Sequence, residues 1–74
     1  MKRIFVFTDG SSRGNPGAGG FAAILQIGDL VFEIGGREEK VTNNQMELQA
    51  LIAALSFLAR QKIKNFEITI HTDS

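Results

Sequence analysis

Three carboxylates stand where they could act together. Asp9 closes the apolar run IFVFTDG, Glu47 lies at the opening of the helical run TNNQMELQALIAAL, and Asp73 closes a second strand-like run, FEITIHTDS. Carboxylates arriving from two strand ends and a helix start can converge on one patch and hold divalent cations, because hard ions such as Mg²⁺ take oxygen ligands. Two such ions close together suit phosphodiester hydrolysis, one activating water and the other stabilising the leaving 3′ oxygen. Three carboxylates sketch that site and leave further ligands to substrate phosphate and additional acids. The sequence ends one residue after the third carboxylate.

Each residue alone has a plainer explanation. A glutamate in the first turn of a helix is stabilised by the helix dipole, and Asp9 and Asp73 could be solvated surface acids. What ties the aspartates together is a shared setting, T-D-G and T-D-S, each at the end of an expected strand. His71 alternates with Asp73 and should share its face of the strand; as the only histidine it reads as structural rather than catalytic. The glycine-rich segment lacks the GK[ST] ending of a phosphate loop, and GNPGAGG leads into a strand rather than a helix. It reads either as a simple tight, surface-hugging connection or as a loop whose backbone and Asn15 approach a nucleic-acid groove closely.

The elements that must position these groups follow from periodicity. Residues 3–9 are expected to form a strand with Ile4, Val6 and Thr8 on one face and Phe5, Phe7 and Asp9 on the other. Both faces are apolar, which suits an interior strand. DGSSRGNPGAGG is expected to break structure. Strands at 21–27 and 30–34 should form a hairpin across Gly28-Asp29, with GGREEK continuing as an exposed strand or a fraying end. Thr42 and Gln45 make a capping box for a helix over 43–61. Leu48, Leu51, Leu55 and Leu58 recur at helical spacing as its expected core stripe, broadened by Ile52 and the alanines, with Glu47 near the core-facing edge. Residues 66–72 form the last strand. The phenylalanines at 5, 7, 21, 32, 57 and 66 fit core positions rather than the spaced surface pattern of a single-strand binder. This element order makes the fourth strand parallel to the first; if the two are also adjacent, Asp9 and Asp73 become neighbours.

Composition sets the bounds. The 74 residues make at most one small domain, near the size where a single core is marginal. There is no cysteine, which excludes disulfides and thiolate metal sites and permits a cytoplasmic setting. Eight acidic and eight basic side chains balance, so no overall basic field favours nucleic acid. The apolar stretch in MKRIFVF is too short for a secretory signal, and the helix around 48–59 is too short for a bilayer span. A soluble, cytoplasmic protein is expected.

FTDGSSRGNPGAGGFAAIL, TNNQMELQALIAAL and ITIHTDS, in this order and spacing, resemble the type 1 ribonuclease H domain. The resemblance covers essentially the whole chain and the amino-terminal half of that domain, residues 1–74. It implies an α/β fold with a mixed sheet, here strands 3-2-1-4 and one long helix, without the fifth strand and later helices. It also implies metal-dependent endonucleolytic cleavage of the RNA strand of RNA–DNA hybrids with two Mg²⁺ ions, Mn²⁺ being an alternative. Asp9, Glu47 and Asp73 match the family's catalytic, metal-holding carboxylates. Asn15, Asn43 and Asn44, with Gly10, Ser11 and Ser12 nearby, match positions that meet the hybrid's minor groove, where 2′-hydroxyls distinguish RNA. Gln45 matches a further, often basic or polar, contact position. The family pattern continues into a catalytic-loop histidine, which is not His71, and a fourth aspartate. The alternative is a catalytically inactive module that binds nucleic acid or self-associates, with the free edge of strand four as a homodimer contact.

Overall fold

The computed structural model describes residues 2–72, and Asp73 lies outside them. Five elements follow in order: β1 (Lys2–Ser12), β2 (Gly17–Ile27), β3 (Leu30–Val41), α1 (Asn43–Gln61) and β4 (Phe66–Thr72). The strands form one mixed sheet in the order β3-β2-β1-β4. β1 pairs antiparallel with β2 and parallel with β4, in a register running from Lys2 opposite Phe66 to Thr8 opposite Thr72. The adjacency of the first and fourth strands is therefore observed, and β1 is interior as its two apolar faces require.

The glycine-rich segment is largely strand, contrary to expectation. β1 runs on past Asp9 to Ser12 and β2 already begins at Gly17, leaving residues 13–16 as the connection. Antiparallel pairing continues through Gly10–Phe21, Ser11–Gly20 and Ser12–Gly19. A strand ladder is made by backbone groups, so side-chain periodicity is silent where glycines supply one side of it. The β2–β3 reversal is the expected Gly28-Asp29 turn, with Gly28 at φ 61°, a conformation that costs little without a Cβ. GGREEK continues β3 as an exposed edge strand that ends at the buried Val41.

α1 begins as its sequence dictates. The Thr42 amide donates to Gln45 Oε1 at 2.8 Å and the Gln45 amide donates to Thr42 Oγ1 at 3.2 Å, closing the capping box. Val41 and Met46, just before the cap and four residues after it, are both buried in the positions of a hydrophobic staple. Lys62 ends the helix in the left-handed conformation, φ 53°.

The buried stripe keeps Leu58, Ala50 and Ala54 of the expected one, gains Met46, and leaves Leu48, Ile52 and Leu55 exposed. Met46, Ala50, Ala54 and Leu58 face the sheet, whereas Leu48 and Leu55 are 57% and 45% exposed. Apolar residues surround this helix, so periodicity alone does not single out one face. Packing selects the line with alanines at its centre, which lets the helix lie close to β1 and β2. Ile4, Val6, Ala23, Leu25, Ile27, Ala54 and Leu58 form the core. Phe32 packs against it beside Phe57, ring centroids 4.9 Å apart. Phe7 and Phe66 depart from the core assignment and are exposed. Phe7 lies on the sheet face opposite α1.

Candidate active site

The site is built where β1 passes beneath the first turn of α1. Strand alternation turns Thr8 and Gly10 towards the helix and Asp9 and Ser11 to the other side. Gly10 is the point of closest approach. A Cβ there would fall on the Met46 carbonyl group and 2.6 Å from the Glu47 amide nitrogen. Any larger residue would push the helix start away from the strand. The residue after Asp9 thus touches the peptide that leads into Glu47. Glu47 itself is half-buried at the sheet-facing edge of the first turn, and Asp9 is exposed.

A second tie fixes the same corner. Asn43 Oδ1 accepts a hydrogen bond of 2.6 Å from the Ser12 amide. The Ser12 hydroxyl lies 3.1 Å from the same oxygen and 2.6 Å from the Gly14 carbonyl. Its single proton serves the nearer, aligning the turn while the amide holds the helix. The two contacts span 31 residues of sequence, so they lock the end of β1 to the helix cap.

Among the expected contact residues, Gly10, Ser12 and Asn43 are brought together with the Glu47 turn. Ser11, Asn15 and Asn44 are exposed around this corner. The Gln45 side-chain oxygen is engaged in the capping box, so only its amide NH₂ is left to reach outward. His71 stacks on Phe7, centroids 5.0 Å apart and planes 11° from parallel, on the face that carries Asp9. A hollow of ≈ 420 Å³ there is bordered by Phe7, Asp9, Ala22, Ile24 and His71. Arg13 and Arg37 were absent from the sequence-derived site. They border a separate groove beside the β1–β2 connection. Their only sequence signal is the flanking glycines, whose meaning depends on register.

The donor set suits a hard divalent cation, since Asp9 and Glu47 offer carboxylate oxygen and Gly10 leaves room for nothing bulkier between their elements. Among the described residues no three His, Asp or Glu side chains form a metal-holding group. Asp73, the third expected ligand, is outside those residues. The last described pair of the β1–β4 ladder is Thr8 with Thr72, and each immediately precedes one of the aspartates in sequence.

A mixed four-stranded sheet with this strand order, and one long helix lying against its interior strand, defines the architectural class. The family model described as RNase H matches residues 1–74, and the chain belongs to that family. It is 50% identical over all 74 residues to ribonuclease H of Rhizobium meliloti (strain 1021), covering 46% of that protein. It is 51% identical to ribonuclease HI of Helicobacter pylori (strain ATCC 700392 / 26695), covering 49%. Among solved structures, LC11-RNase H1, isolated from compost by a metagenomic approach, superposes with a TM-score of 0.88 at 33% identity, with 100% of this chain and 56% of that one covered. LC11-RNase H1 in complex with an RNA/DNA hybrid gives a TM-score of 0.86 at 32% identity, covering 96% and 54%. The chain spans about half the length of the relatives it matches. Among the described residues no helix is long and apolar enough to cross a membrane.

Proposed function

We propose that the chain contributes the carboxylate site of a metal-dependent endonuclease that hydrolyses the RNA strand of RNA–DNA hybrids. The observation that carries this reading is the contact of Gly10 with the Met46–Glu47 peptide, which holds the strand of Asp9 against the helix start of Glu47. Further support comes from family membership and from a relative bound to an RNA/DNA hybrid.

Asp9, Glu47 and Asp73 are the residues assigned to hold the metal. Bound there, two Mg²⁺ ions (or Mn²⁺) would supply Lewis-acid activation of water and charge stabilisation at the leaving 3′ oxygen. Water adds to phosphorus, the bond to the 3′ oxygen breaks, and the products end in 5′-phosphate and 3′-hydroxyl. Ser12, Asn15, Asn43 and Asn44, with the backbone of Gly10 and Ser11, lie against the minor groove and read its 2′-hydroxyls. The Ser12–Asn43 tie keeps the two halves of that surface in register. Its expected setting is cytoplasmic.

The test is cleavage of an end-labelled RNA–DNA hybrid, with Mg²⁺ and with chelator, beside Asp9→Asn. Metal-dependent cutting of the RNA strand alone, lost in the variant, supports the assignment. No cutting by folded chain contradicts it for this chain.

A second reading has its own observation. Among the described residues β4 is an edge strand, with Phe66 and Ile70 about 40% exposed. In that reading the chain is a catalytically silent module that binds hybrids or forms a homodimer through β4. Hybrid binding without cleavage, or a dimer by light scattering, would favour it.

A further inference from the structure

The groove beside the β1–β2 connection encloses ≈ 640 Å³ and is lined in part by Ser11, Ser12, Arg13, Gly20 and Arg37. Register explains its shape. Ser11, Gly20 and Arg37 lie in one row across β1, β2 and β3, two residues further along than the row Asp9, Ala22 and Gly35. Strands lie about 4.8 Å apart, so the Ser11 and Arg37 backbones are separated by roughly 10 Å with only a glycine between them. That open lane leaves space for a chain of phosphates, with Arg37 on its far side and Ser11 on its near side. Arg13, in the connection itself, closes the end.

Two arginines and the Ser11 hydroxyl suit phosphate oxygens, which Arg binds through a planar fork. Glu38 and Glu39 also border the groove, so its formal charge is balanced. A small free anion gains little from such a field. A polymer already held at Ser12 and Asn43 instead presents its next phosphates at high effective concentration. The two rows are about 7 Å apart along the strands, on the scale of one phosphate-to-phosphate step of a nucleic-acid backbone.

We propose that Arg13 and Arg37 clamp the sugar–phosphate backbone of the bound nucleic acid in this groove, about one nucleotide from the phosphate that faces Asp9. This rests on the hybrid-binding reading above and adds to it a site outside the carboxylate corner. The clamp positions substrate and takes no part in bond breaking.

The test is the salt dependence of binding to a short fluorescein-labelled RNA–DNA hybrid, measured with chelator so that the RNA stays whole. Loss of each phosphate contact lowers the slope of log K against log salt by about 0.7–0.9. The Arg13→Ala/Arg37→Ala chain should therefore bind more weakly with a slope reduced by about 1.5. Arg13→Lys/Arg37→Lys should keep the slope, and Arg60→Ala, in the last turn of α1, should keep both slope and affinity. Gly20→Val is a second route: its Cβ meets only the Gly36 carbonyl, at 3.5 Å, so it should fold while obstructing the lane and weakening binding. Binding by the unaltered chain with equal slope in the double alanine variant, or with full affinity in folded Gly20→Val, overturns the clamp alone. No binding by the unaltered chain overturns the clamp together with the hybrid reading on which it rests.

Discussion

Gly10 of the central strand and Glu47 of the helix meet through backbone, with a Cβ on Gly10 placed 2.6 Å from the Glu47 amide nitrogen. The contact explains why a glycine follows the first carboxylate. It fixes the height of the helix start over β1 and so the reach between the two acidic side chains.

Gly10→Ala should therefore strain the fold as well as the site. The atoms its methyl group meets belong to the helix backbone and cannot rotate away, so an overpacking cost of about 1–3 kcal/mol is expected. Urea unfolding would show it as a lower midpoint, accompanied by weaker hybrid binding. An unchanged midpoint would mean that the helix start is free to move.

The Ser12–Asn43 tie should matter more to binding than to folding. Both residues are near solvent, so water replaces part of the lost contact in Asn43→Ala and the stability cost should be about 1 kcal/mol. Hybrid affinity should fall up to about tenfold, the equivalent of about 1.4 kcal/mol, because the turn and the helix cap lose their shared register. Equal affinity in the two proteins would remove Asn43 from the binding surface.

The helix offers a contrast between two leucines. Leu58→Ala empties a core position and should cost about 2–5 kcal/mol. Leu55, 45% exposed, should change stability by no more than about 0.5 kcal/mol on the same substitution. Thermal melts of the pair distinguish this packing from a leucine-stripe helix, in which both would be costly.

Loss of the helix cap should fall between these. Thr42→Ala removes the oxygen that accepts from the Gln45 amide and should cost about 1 kcal/mol. Thr42→Ser keeps the oxygen and should melt close to the unaltered chain.

Much of this architecture is legible in the residues. The capping box, the helix bounds, the Gly28-Asp29 turn and the last strand follow from local signals, which tertiary structure here reinforces. The glycine segment does not, and the helix stripe does so only in part. In Gly17 to Gly20 the strand is specified by backbone pairing, which leaves no side-chain alternation to detect. In α1, leucines and isoleucine occur on more than one side, and the choice among them depends on packing against β1 and β2. For the candidate site the sequence offers three carboxylates, Asp9, Glu47 and Asp73, in suggestive settings. Register was needed to see that Ser12 binds Asn43, and that Arg37 faces Ser11 across a glycine.

The gathering of Asp9, Glu47 and Asp73 around one metal is tested most directly by Mn²⁺ titration followed in amide NMR spectra. Paramagnetic broadening should appear first and together at residues flanking Asp9, Glu47 and Asp73, sparing Asp29, Glu38 and Glu39, and should be lost in Asp9→Asn. Broadening centred on the β2–β3 turn or the end of β3, or unaltered by Asp9→Asn, would contradict a shared metal site at these carboxylates.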